Sequence, residues 1–148
     1  MKQTFRNLLT IFVASLCLFG QMHAQSKNEI NWVGIEEAQS LMKDAPKPIF
    51  IDFTAKWCGW CKKMDKTTFA DTKVANRLNE GFYSVKLDFD SKVVFAYKGD
   101  EYTAKQLAKE FGVTGLPTMI VISDNLTTVN TVVGYKTSKQ FLKAIEIF

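Results

Sequence analysis

Pro48-Ile49-Phe50-Ile51-Asp52-Phe53-Thr54-Ala55-Lys56-Trp57-Cys58-Gly59-Trp60-Cys61-Lys62 is the stretch on which the reading of this chain turns. Ile49 to Phe53 is a nearly unbroken apolar run bounded by a proline, the pattern of a central strand covered on both faces. Two thiols separated by two residues follow at once, where the strand gives way to a helix expected to start near Cys58 and to carry Met64 inward. A pair so placed can close into a tight disulfide and reopen at little structural cost, which makes it a candidate redox switch.

Upstream, Lys2 and Arg6 precede an apolar run from Leu8 to Gly20, and Met22-His23-Ala24 offers a small-residue cleavage site before Gln25, so residues 1–24 read as an export signal. The run is too short to span a bilayer comfortably, so no stable membrane insertion is expected after cleavage. Cys17 lies inside it and is read as leader sequence, because Leu16 is too large for a lipid-anchor site. Loss of Lys2 and Arg6, with no acidic residue in the leader, lowers the formal net charge from +4 to +2. The remaining lysines are scattered among acidic residues, which argues against a nucleic-acid partner. His23, the single histidine, leaves with the leader. Two cysteines and no imidazole exclude Cys-His proteolysis, and no metal site is expected, since four zinc ligands would require carboxylates or a second chain. A plain structural staple is the other use of such a pair in an oxidising compartment, although so short a loop constrains the unfolded chain only modestly.

A chain of 148 residues, 47% hydrophobic and 13% aromatic, can bury one real core. Residues 25–44 read as an N-terminal extension with a short helix, in which Ile35, Ala38, Gln39, Leu41 and Met42 share a face that ends before Pro46. Residues 45–148 read as one domain with an inserted segment near 91–105. Within it, the helix beyond Cys58 continues through Thr72 to Asn79, with Val74, Ala75 and Leu78 inward and Gly81 as its end. Tyr83 to Phe89 alternates as a second strand. Val93, Val94, Phe95 and Tyr97 ahead of Lys98-Gly99-Asp100 suggest an extra hairpin arm. Tyr102 to Phe111 reads as a helix stopped by Gly112. Thr118 to Ile122 and Thr128 to Val133 form a hairpin about Asp124-Asn125, and Phe141, Leu142, Ile145 and Phe148 close the chain as an amphipathic helix. The fold class is α/β, a mixed central sheet flanked by helices on both faces.

The strand-to-helix stretch from Phe50 to Lys62, taken with the distant Phe111-Gly112-Val113-Thr114-Gly115-Leu116-Pro117-Thr118, resembles the thioredoxin family over roughly residues 45 to 145. The run from Trp57 to Phe69 is similar to exported thioredoxin-like proteins and to the C-terminal domain of transmembrane disulfide reductases of the DsbD type. The resemblance implies a thioredoxin fold and a thiol-disulfide oxidoreductase that needs no cofactor beyond its own dithiol. Cys58 would be the nucleophile, its thiolate favoured by the positive end of the helix dipole and by unpaired backbone N–H groups. Cys61 would resolve the mixed disulfide. Asp52 would accept the proton of Cys61, with a pKa raised by burial, and Lys86 on the next strand would moderate that rise. Trp57, Gly59, Trp60, Leu116 and a cis Pro117 would border the client groove, Leu116 pairing with an extended client segment.

Two departures from the family pattern bear on redox direction and partner choice. Gly59-Trp60 stands where cytosolic thioredoxins have Gly-Pro, and Thr54 replaces a common tryptophan. The expected partners are oxidised client proteins and a membrane thiol reductase as electron donor, in a bacterial periplasm. An oxidant or isomerase of folding proteins, and a non-catalytic module that docks peptides beside Pro117, are the other readings.

Overall fold

In the computed structural model, which describes residues 29–127 and 129–148, the elements run β1 (Trp32–Val33), α1 (Ile35–Asp44), β2 (Ile49–Thr54), α2 (Gly59–Thr67), α3 (Thr72–Gly81), β3 (Tyr83–Asp88), β4 (Val94–Tyr97), β5 (Asp100–Thr103), α4 (Ala104–Glu110), β6 (Thr118–Ile122), β7 (Val129–Val133) and α5 (Ser138–Ala144). The leader expected over residues 1–24 lies outside the described residues, as does Thr128. No helix among the described residues is long and apolar enough to cross a membrane.

The main sheet has the order β1-β3-β2-β6-β7. β1, β3 and β2 are parallel, β6 is antiparallel to β2, and β7 is antiparallel to β6. β2 is therefore the central strand, as its unbroken apolar run predicts. Alternation along it sends Ile49, Ile51 and Phe53 into a core shared with α1 and α4. Phe50 faces the other way, into a core shared with α2, α3 and α5. There its ring meets those of Trp32, Phe69, Phe82 and Phe141 at centroid distances between 5.5 and 6.5 Å. Asp52 falls on this second face too, two residues along from Phe50.

Four element boundaries differ from the sequence reading. β1 is new: two residues are too few for any periodicity, and tertiary bonds hold them in place. Asn79 Oδ1 accepts from the Asn31 N–H at 2.8 Å and Asn79 Nδ2 donates to the Glu29 carbonyl at 2.8 Å, which delivers Trp32 and Val33 alongside Ser84 and Val85. α2 and α3 are separate helices, because Phe69 turns into the aromatic core and Asp71 caps a fresh helix by accepting from the Lys73 N–H at 2.8 Å. The helix expected from Tyr102 starts at Ala104. Tyr102 and Thr103 pair with Phe95 and Val94 in the hairpin, and Thr103 then forms a capping box with Gln106. At the C-terminus α5 ends at Ala144, leaving Phe148 beyond the helix.

Residues 94–103 form a two-stranded sheet of their own. Lys98 and Gly99 both take positive φ, 54° and 93°, as a tight hairpin turn requires. The outer edge of β4 is satisfied by α1: Glu36 Oε1 accepts from the Ala96 N–H at 2.8 Å, Gln39 Oε1 from the Lys98 N–H at 2.9 Å, and Gln39 Nε2 donates to the Ala96 carbonyl at 2.9 Å.

Candidate active site

β2 ends at Thr54 and the chain turns through Ala55-Lys56-Trp57, with the Cys58 N–H donating to the Ala55 carbonyl at 3.0 Å. That turn places Cys58 at the N-cap of α2, where its Sγ accepts from the Cys61 N–H at 3.1 Å. The two cysteines form a disulfide, S–S 2.01 Å and Cα–Cα 5.3 Å. Both are buried, packed with Ala55 and touched by Phe89 and Leu116. Because α2 starts here, the Cys61 N–H, one of the orphan donors of its first turn, points at the Cys58 sulfur, the setting in which a thiolate is stabilised once the bond opens.

The Leu116–Pro117 peptide is cis. Pro117 is buried and its carbonyl accepts from the Gly134 N–H at 2.8 Å, so the segment ahead of β6 is tied to the end of β7. Leu116 is the half-buried residue that reaches the cysteines. Gly59 opens α2 on the surface, with open space where a Cβ would stand. Trp57 lies at the rim, 66% exposed, its indole N–H donating to Asp90 Oδ2 at 2.7 Å. Trp60 is exposed on α2 and stacks obliquely on Tyr135 at 5.4 Å, with Lys63 Nζ 4.9 Å from one ring and 5.0 Å from the other.

Beneath α2 the strand register sets Asp52 directly beside Lys86. Asp52 is buried, and Lys86 Nζ stands 3.7 Å from its Oδ2. The closer partner of that ammonium is Asp65, one helical turn beyond Cys61 on α2. Lys86 thus bridges two carboxylates. Its far side is covered by the Trp32 ring, whose centroid is 4.5 Å from Nζ, and by Phe69 at 5.4 Å. Burial is the largest influence on Asp52 and pushes its carboxyl up from 3.8 to about 7; the Lys86 charge pulls it down, while the Asp65 charge pushes it further up.

The structure brings Leu116 onto Cys58 and Cys61, with Trp57, Gly59, Trp60 and Pro117 next to them in the chain, and links Asp52 through Lys86 to Asp65 of the same helix α2. Asp65, Phe89, Tyr135 and the placement of Trp32 were missed in the sequence. Asp65 alone had a usable signal, its position four residues after Cys61 on the same helix face. Among the described residues no group of three or more His, Cys, Asp or Glu side chains is placed to hold a metal ion.

A family model described as a thioredoxin-like domain matches residues 35–148. Thiol:disulfide interchange protein DsbD of Campylobacter jejuni (strain RM1221) is 29% identical over 124 residues, covering 84% of this chain and 20% of that protein. The chain thus spans about one fifth of the length of the curated relatives it matches. Among solved structures, a DsbH oxidoreductase superposes with a TM-score of 0.64 at 20% identity, covering 88% of this chain and 94% of that one. A thioredoxin from Thermus thermophilus superposes with a TM-score of 0.65 at 20% identity, covering 80% and 86%.

Proposed function

The chain belongs to the thioredoxin-like family, and from that premise we propose that it is an exported thiol-disulfide oxidoreductase that reduces disulfides of extracytoplasmic proteins through a Cys58/Cys61 dithiol-disulfide cycle. The observation that carries this reading is the closed Cys58–Cys61 pair at the N-terminus of α2, with a buried Asp52 on the strand that leads into it.

In the reduced protein the Cys58 thiolate attacks one sulfur of a client disulfide. A Cys58–client bond forms, and the other client sulfur leaves as thiolate. Cys61 then gives its proton to Asp52 and attacks Cys58 Sγ, forming the intramolecular disulfide and releasing the second client thiolate. Two electrons pass to the client, and the Asp52 proton returns to solvent. A dithiol donor, for which a membrane thiol reductase is the expected source, restores the reduced pair by the reverse exchange. The exposed Trp57 and Trp60 together with Leu116 and Pro117 supply the surface on which an extended client segment lies. A carboxylate below the dithiol opposes build-up of negative charge on the sulfurs, which disfavours the reduced state and supports the reductant direction.

Reduction of insulin-type disulfides tests the reading. Cys58→Ser should abolish it, and Cys61→Ser should accumulate Cys58-linked client adducts. The potential of the pair should lie near the about −270 mV of a reductant; about −120 mV would reverse the assigned direction. A Cys58→Ser protein that keeps its full biological activity would remove the catalytic reading in favour of peptide docking alone.

A further inference from the structure

A cleft of about 480 Å³ opens beside the disulfide, between the segment after β3 and the face of α4, lined by Phe89, Lys105, Lys109, Gly112, Val113 and Thr114 among others. Phe89 joins it to the redox centre, since the same ring that floors the cleft also packs against the cysteine cluster. Its backbone is fixed by a 2.8 Å bond from the Phe89 N–H to the Thr54 carbonyl. Thr114 continues into the Gly115-Leu116-Pro117 segment, so the cleft and the client groove share a wall. Lys105 and Lys109 are one turn apart on α4, both exposed, with Lys105 Nζ 5.6 Å from the Phe89 ring centroid. Neither has an ion-pair partner among the described residues, whose ion pairs are those of Lys86.

No carboxylate is among the residues that line the cleft, so the charge of its lining is that of these two lysines. Lys56, Lys62 and Lys63 are exposed within a few residues of the cysteines. Asp65 is paired with Lys86, while Asp88, Asp90 and Glu110 stand next to the cleft in the chain but outside its lining. An apolar floor with two unpaired ammonium groups on its rim is complementary to a chain carrying an apolar side chain flanked by carboxylates, and repels a basic one. We infer that this cleft is a client subsite that selects acidic, apolar segments flanking the client cysteine, with Lys105 and Lys109 as its specificity residues. The inference rests on the oxidoreductase reading and names the substrate class of that site.

The test uses two synthetic peptides with the same intramolecular disulfide and the same leucine, flanked by aspartates in one and lysines in the other. Single-turnover reduction by the pre-reduced protein should be about tenfold faster for the acidic peptide, and the advantage should shrink as salt is raised. The Lys105→Glu/Lys109→Glu variant should lose or invert the preference while reducing the small neutral disulfide hydroxyethyl disulfide at the original rate. Fluorescence anisotropy of a labelled acidic peptide lacking cysteine, added to the oxidised protein, reads the cleft without turnover and should show binding that the double variant loses. Equal acidic-to-basic ratios in both proteins, or equal anisotropy binding, overturn the subsite. If the unaltered protein fails to reduce hydroxyethyl disulfide, the oxidoreductase reading falls, and the anisotropy result still decides the cleft.

Discussion

Asp52 is the residue whose environment matters most. Its carboxyl is held at about 7 with the disulfide closed, chiefly by burial, so around neutrality it is divided between acid and base. If it takes the Cys61 proton, resolution of a client adduct should quicken as pH rises through about 7. Asp52→Asn should flatten that profile and slow resolution by about 100-fold, the lower range for a general base, as followed by rapid-quench analysis of the adduct. Lys86→Met should move the inflection to higher pH and Asp65→Asn to lower pH, because one charge pulls the Asp52 carboxyl down and the other pushes it up. The same raised value has a consequence for stability. The native protein holds a proton that the unfolded chain has released between about 4 and 7, so stability falls as pH rises through that window and is level above it. Asp52→Asn should abolish this fall and leave the oxidised protein more stable than the parent by a few kcal/mol at pH 8 in urea unfolding, with little difference at pH 4. Asp52 could be read from its place six residues before Cys58. The Lys86–Asp65 contact could not, because it depends on how α2 sits across β2 and β3.

At the scale of elements, local chemistry reached the right answer wherever caps and periods were long enough to see. Gly112 stops α4 with φ +68°, and no atom stands within 4 Å of where its Cβ would be. Gly112→Ala should therefore cost about 1 kcal/mol through backbone conformation alone, measured by urea unfolding. Gly59 has the same open space with a φ outside the left-handed region. Gly59→Ala should be close to neutral in the same assay, and the contrast between the two separates conformational strain from steric clash. In two of the four places where the elements differ from the sequence reading, a tertiary contact overrode a local pattern: Tyr102 and Thr103 are drawn into pairing with Phe95 and Val94, and the helix is interrupted where Phe69 enters the core.

For the whole molecule, Phe50 is the keystone of the core beneath α2, α3 and α5, fully buried and in contact with four other aromatic rings. Phe50→Ala should cost about 4 kcal/mol. That is a large part of the roughly 5–15 kcal/mol that holds a typical domain, and it should appear as a marked fall in the thermal midpoint. The main strands and helices apart from β1 and the break between α2 and α3, the central place of β2, the dithiol at a strand-to-helix junction and the acid on the strand before it were readable in the chain, because each depends on residues close together or on a period the backbone imposes. The bridging of two carboxylates by Lys86, the lid of Trp32 over it, and the lysine-rimmed cleft beside Phe89 came only with the folded structure. Those arrangements join segments tens of residues apart, and their distances are set by sheet register and helix packing, which no local pattern encodes.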